Sequence, residues 1–253
     1  MRNQLLLYNV LLLLIASAWL HLIQWNFPIF QLYKVFGGSA EEVLPWMYEF
    51  NKFTGAFFTI AAVALIVRFK FIKDLLLLSS IFLFTIALAE FAKKFPYFNE
   101  VMEHAVRFTT PFVLYLILVK STKHLALIIK LAIAATFVGH GIYAVGLFPV
   151  PKSFIDMSMA VFGFSEEGAR TYLLIAGILD FIVSIGIFIP ALVRPSLIYC
   201  VFWGLATAAA RVLSKGALPF DEIIFRWIPE MLLRLPNGLM PLWLLMTFYP
   251  KKK

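Results

Sequence analysis

Long apolar stretches separated by short polar ones frame this chain. Six of them approach the ~20 residues that a helix needs to cross ~30 Å of hydrocarbon. They are about Leu5–Ile23, Phe53–Val67 with its flanks, Leu75–Phe91, Leu125–Val145, Tyr172–Val193 and Pro195–Leu213. None alternates with period two, and backbone groups in lipid must bond within their own segment, so helices are predicted. Phe112–Val119 and Leu242–Tyr249 are shorter apolar runs of eight residues each, or ~12 Å of helix, too little to span. To cross, each must take in the turns before it, which carry Glu103 and Arg107 in one case and Glu230 and Arg234 in the other. Pro111, Pro236 and Pro241 sit at the joins and predict a kinked or broken helix. An i,i+4 ion pair is expected on the approach side of each.

The pattern occurs twice. Val35–Glu42 reads VFGGSAEE and Val161–Glu167 reads VFGFSEE. Around this loop His21 answers His140, Phe27-Pro28 answers Phe148-Pro149, Gly55 answers Gly177, Lys73 answers Arg194 and Glu90 answers Arg211. Glu103/Arg107 answers Glu230/Arg234, and the offset stays between 119 and 127 residues. Self-similarity at a fixed offset marks repeated structure. The predicted fold class is an all-α polytopic membrane protein, with eight transmembrane helices in two four-helix repeats, residues 1–122 and 123–253. An even number of spans per half gives the halves parallel orientation about a pseudo-twofold along the membrane normal.

Composition agrees with this frame. The chain is 62% hydrophobic and 14% charged, with mean hydropathy +0.90, whereas a soluble domain is about one-quarter charged. The net charge of +8 comes from basic residues that flank apolar segments, which suits anionic lipid headgroups and not nucleic acid. The lipid bilayer is therefore the expected partner. Arg2, Arg68, Lys70, Lys73, Lys120, Lys123, Lys130, Arg194 and Lys251–Lys253 crowd the short segments on one side, with Asp74 as the only acid among them. Basic density in short loops places that side, and both termini, in the cytoplasm. The run Leu5–Ile23 has no convincing cleavage site and is kept as a first span. The longer outer loops carry amphipathic pieces such as EEVLPWMYEF, expected along the interface, with Trp25, Trp46 and Trp227 as anchors. A single cysteine, Cys200, excludes an intrachain disulfide or a CxxC pair and reads as a small apolar helix residue.

Placed by depth, the ionisable residues collect toward one end. His21 and His140 lie near the outer ends of the first and fifth helices, Glu90 and Arg211 near those of the third and seventh. Glu103, His104, Arg107, Glu230 and Arg234 approach from the same side, and Asp180 sits deepest, ~13 Å from the outer start of its helix. An ionisable residue inside a span costs ~2.5–3.5 kcal/mol or more, which makes each a candidate ligand-binding residue. Each also has a plainer reading. Asp180 could pair with a buried base such as Arg211, Glu90 and Arg211 could meet as a structural pair, and the Glu-x-x-x-Arg pairs could lock the broken helices. Two histidines on lead helices admit haem ligation, although each half supplies only one. A zinc site from His21, His104, His140 and Glu103 has no close ligand spacing behind it. No metal or cofactor is predicted, with haem or quinone kept open. No Gly-rich phosphate loop, GxSxG or HExxH is present.

The second half contains FVGHGIYAVG at the end of its first helix, then LLIAGILDFIVSIGIF, an arginine and an Ala-rich third helix. Over about Leu131–Leu213 this resembles the DoxX-like family of four-helix membrane proteins, in which a His-Gly ends helix 1 and helix 2 is Gly-rich. The resemblance implies a tandem pair of such units in a bacterial inner membrane, where some members are linked to quinone-coupled oxidation of sulfur compounds. It also implies a respiratory or redox partner subunit. Tyr143 stands where a lysine often follows the His-Gly, and the helix-2 acid is shifted, so only His140 and Gly141 carry over as pattern matches. Three functions stay open: an accessory or small-ligand-binding protein for a quinone- or lipid-like molecule, with its polar site facing outward; a transporter or channel using Asp180 and the broken helices; and a membrane enzyme acting at the outer face.

Overall fold

The computed structural model describes residues 2–24, 40–93, 95 and 97–250, with backbone only for 2, 40–44 and 93. Trp25, Phe27-Pro28, Val35–Ser39 of the first loop copy and Lys251–Lys253 lie outside the described residues. The described chain is helical throughout: α1 (Arg2–Leu22), α2 (Ala40–Ile66), α3 (Ile72–Lys93), α4 (Asn99–Glu103), α5 (Ala105–Leu118), α6 (Leu125–Ala144), α7 (Lys152–Phe162), α8 (Glu166–Gly186) and α9 (Val193–Leu213). A last run comprises α10 (Phe220–Glu222), a π-helical turn (Ile223–Trp227), α11 (Ile228–Arg234) and α12 (Pro236–Phe248). Among the described residues, seven helical segments are long and apolar enough to cross a membrane, and Ala105–Leu118 is a shorter apolar one. The chain is an all-α polytopic membrane protein.

Three expectations change. The piece EEVLPWMYEF is not a separate interfacial segment, because α2 runs unbroken from Ala40 through Pro45 to Ile66. A proline inside a helix removes one backbone hydrogen bond, which the turns on either side outweigh here. Similarly, α8 starts at Glu166, six residues before the apolar run, because Ser165 caps it by accepting from the Gly168 N–H at 3.2 Å. Glu166 and Glu167 then favour its positive end. The helix interruptions also move. Pro111 and Pro241 lie within continuous helices, and the first break falls at His104, with φ −92° and ψ −1°. The second run is interrupted by its π turn and at Leu235-Pro236. There Pro236 has no N–H to offer Leu232 O, which instead shares the Leu235 N–H, at 3.3 Å, with Met231 O at 3.1 Å.

The second copy of the loop owes Gly163 and Ser165 to this capping. Gly163 ends α7 in the left-handed region at φ 71°, and an added Cβ would touch nothing within 4 Å. Backbone conformation alone therefore asks for glycine here. Ser165 then caps the start of α8.

Packing crosses between the two halves. α1 packs on α2 and α6 on α8, while α3 packs on α5 and α9 on α12. α4 and α5 lie against α6 of the second half, and α11 and α12 against α1 of the first. Glycines set these approaches: a Cβ on Gly139 of α6 would sit 2.8 Å from Glu103 N, and one on Gly204 of α9 would sit 2.5 Å from Asn237 O. Gly55 fits against Leu22, and Gly177 against Ala144 and Val145. The shared core includes Leu13, Phe58, Ile133, Leu197, Cys200 and Leu244. At the end remote from the polar residues, Arg194 Nη1 donates to Tyr249 O at 2.5 Å and Lys130 Nζ stands 5.1 Å over the Tyr249 ring.

Candidate functional site

One cavity of about 300 Å³ draws eight of the nine candidate residues together. From the first half come His21, Glu90, Glu103 and Arg107; from the second, His140, Arg211, Glu230 and Arg234. The convergence follows from helix direction. His21, Glu90 and Arg211 occupy the last turns of α1, α3 and α9, His140 lies just before the last turn of α6, and the broken segments α4 and α11 line the same cavity.

Asp180 is the exception. It is 2% exposed and lines a second, mainly apolar cavity of about 490 Å³. Its Oδ1 accepts from Tyr199 OH at 3.3 Å, and no salt bridge joins it to Arg211. Phe154 and Met157 of α7, Phe162 at its end, Tyr172 of α8 and Phe202 and Trp203 of α9 wall this cavity. Four residues, His140, Phe154, Arg211 and Arg234, line both cavities. Phe162 and Phe202 are 52% and 73% exposed, so the apolar cavity is rimmed by outward-facing rings.

The two histidines are held alike. His21 Nδ1 lies 2.7 Å from Ser17 O and His140 Nδ1 lies 2.8 Å from Thr136 O, each four residues earlier on its own helix. A carbonyl only accepts, so Nδ1 carries the proton and a neutral ring presents Nε2 as an acceptor. Thr136 does a second job: its Oγ1 accepts from the Val106 N–H at 3.0 Å, satisfying one of the orphan donors that the break at His104 creates. At the other broken run, Trp19 Nε1 donates to Phe225 O at 2.9 Å, pinning the π turn to α1.

The acid–base pairs do not form as a matched set. Glu230 pairs with Arg234, as their spacing predicts. Glu103 and Arg107 form no salt bridge, because the break at His104 falls between them and destroys the i,i+4 register. Instead, Arg107 Nη1 lies 3.4 Å from His104 Nδ1 and Glu103 Oε2 lies 4.0 Å from His140 Nε2. Glu90 and Arg211 share the cavity with no salt bridge between them, and Arg211 makes no hydrogen bond or ion pair among the described residues.

The sequence reading missed Glu100 and the hydroxyl of Tyr143, which bond to each other and line the charged cavity. The available signal was Glu100 one turn before Glu103, on the same face of a helix. It also missed the apolar cavity, whose wall α7 had been read only as part of an outer loop. Among the described residues, no three His, Cys, Asp or Glu side chains gather in a way that could hold a metal ion.

These features define a polytopic helical membrane protein with a charged chamber at one end of the bundle and an apolar chamber beside it. No protein-family model matches the chain, and no curated protein or solved structure matches it either.

Proposed function

We propose that this protein binds a small amphipathic ligand, lipid- or quinone-like, with an anionic or polar head in the charged cavity and an apolar tail in its neighbour. The observation that carries this reading is the shared wall. Arg211, free of any protein partner among the described residues, lines both chambers, so an anion held there continues into apolar space. The cavity sizes fit small-molecule sites of ~300–1,000 Å³. An accessory or ligand-carrying role follows more directly than transport, since Asp180 and the break at His104 line different cavities.

We read the chain further as eight crossings in two parallel four-helix halves, α4 with α5 making the fourth. The exchange of packing, α4–α5 onto α6 and α11–α12 onto α1, supports a pseudo-twofold. The Arg194, Lys130 and Tyr249 cluster, remote from the cavity, supports a cytoplasmic placement for the basic end and both termini. A DoxX-like tandem in a bacterial inner membrane, working with a respiratory or redox subunit, stays part of the proposal. Gly141 of its His-Gly fits the role of a packing residue, with a Cβ there only 3.1 Å from Gly177 O.

The test is native purification in mild detergent, followed by mass spectrometry and absorption spectroscopy of what co-purifies. Wild type is expected to carry a stoichiometric lipid or quinone, and Arg211→Gln to lose at least nine-tenths of it, while exposed Arg170→Gln retains it. An empty wild-type protein, or equal loading of both variants, sinks the reading.

A further inference from the structure

Among the candidate residues, Asp180 alone lies outside the charged cavity, yet it shares the apolar chamber with Arg211. The height between the two can be read along α9. Tyr199 OH donates to Asp180 Oδ1 at 3.3 Å, so Tyr199 marks the level of the acid. Arg211 follows twelve residues later (211 − 199) on the same unbroken helix. Twelve residues rise ~18 Å. Both side chains lean toward the helix N-terminus, so their tilts offset and the separation holds.

Between these ends the wall is apolar, built from residues such as Phe154, Phe162, Leu173, Ala176 and Phe202. The hydroxyls along it are already engaged: Ser158 donates to Phe154 O at 2.9 Å and Thr207 to Gly204 O at 3.2 Å. Asp180 is less well served. An O–H···O bond is normally ~2.5–3.0 Å long, so Tyr199 is a distant donor, and the Trp203 ring N–H adds a weaker one. A carboxylate has about four acceptor positions. An acid is costly at this depth, and a chamber meant only for methylenes gains nothing from it. The chamber therefore has a polar group at each end: Arg211, with no protein partner among the described residues, and Asp180 ~18 Å deeper.

We propose that the occupant is a long-chain anion with a hydroxyl near the far end of its chain. The anionic head sits on Arg211, the methylenes follow the apolar wall, and the hydroxyl reaches Asp180. An extended chain advances ~1.3 Å per carbon–carbon bond, so ~18 Å of height corresponds to about fourteen bonds. A hydroxyl both donates and accepts, so it completes the bonding of Asp180 and can stand beside Tyr199 OH. Being neutral, it also crosses the apolar wall at far less cost than a charged group. A plain chain would instead bring a methyl group against the carboxyl.

This inference rests on the lipid-binding reading above, and one competition experiment separates the two. The full chain, in mild detergent at a fixed ratio of detergent to protein, is offered equal amounts of three hexadecanoic acids. One is plain, one carries a terminal hydroxyl and one carries the hydroxyl beside the carboxylate, each with a distinct deuterium label. Native mass spectrometry identifies what is retained. The terminal-hydroxy acid is expected to be held at least tenfold over both others, and Asp180→Leu to abolish that preference while still holding the plain acid. Equal retention of all three, or preference for either of the others, overturns the two-ended assignment and leaves lipid binding standing. A preference that survives Asp180→Leu overturns the role of Asp180. Retention of none overturns the inference, and together with an empty purified protein it overturns the lipid reading as well. The wild-type comparison of the two hydroxy isomers needs no variant to fold.

Discussion

Replacing Gly139 by alanine tests how the charged cavity is built. Gly139 lies on α6, where a Cβ would stand 2.8 Å from Glu103 N, 3.0 Å from Asn99 O and 3.0 Å from Met102 Cβ. Two of those atoms are backbone and cannot rotate away, so α4 itself must retreat. Reaching ordinary contact at 3.4 Å requires about 0.6 Å (3.4 − 2.8). Overpacking of that kind costs ~1–3 kcal/mol, and in a chain of this size each kcal/mol lowers the midpoint by ~2–4 °C. The five residues of α4 can move as a unit, which places the cost toward the low end. Gly204→Ala should be worse, since its Cβ would meet Asn237 C and O at 2.5 Å. Gly216→Ala is the control, with nothing nearer than Leu213 O at 3.7 Å. Thermal unfolding in a fixed detergent should rank the variants wild type, Gly216→Ala, Gly139→Ala, Gly204→Ala in falling stability. A Gly139→Ala protein that melts with wild type would refute the seating of α4 on α6.

Two further results are expected. Double-mutant cycles on stability should give a coupling of ~0.5–3 kcal/mol for Glu230 with Arg234 and no more than ~0.5 kcal/mol for Glu103 with Arg107, despite their identical spacing; equal couplings would contradict the break at His104. Gly163→Ala should lose ~1–2 kcal/mol in the same unfolding assay through its left-handed backbone alone, with Gly163→Asn intermediate; an unchanged midpoint would remove the capping explanation for the repeated loop.

Apolar run length was enough to expose the helices, and residue depth was enough to bring His21, Glu90, His140 and Arg211 to one end. Both are one-dimensional properties that a helix converts directly into height in the bundle. Side-chain partners were less legible. Glu103 and Arg107 looked like Glu230 and Arg234 because spacing records register only while the helix stays continuous, and His104 breaks it. Prolines were an uneven guide: Pro236 marks an interruption, but Pro111 and Pro241 are absorbed within helices, and the first break forms where α4 docks on Gly139. Asp180 could be assigned a depth but not a direction, and it faces the apolar chamber. Glu100 and Tyr143 escaped notice because their bond joins residues 43 apart in the chain, a relation no local pattern carries.

The rings of Phe162 and Phe202 at the rim of the apolar cavity also change how occupancy has to be counted. On the proposed lipid-binding reading, a molecule that passes between them comes from a two-dimensional solvent, so its chemical potential is set by its mole fraction among the surrounding lipids, not by its aqueous concentration. Adding detergent then acts as dilution. Each further micelle lowers that mole fraction and unloads the cavity with no change in protein or ligand concentration, so an affinity measured here has meaning only beside a stated ratio of detergent to lipid.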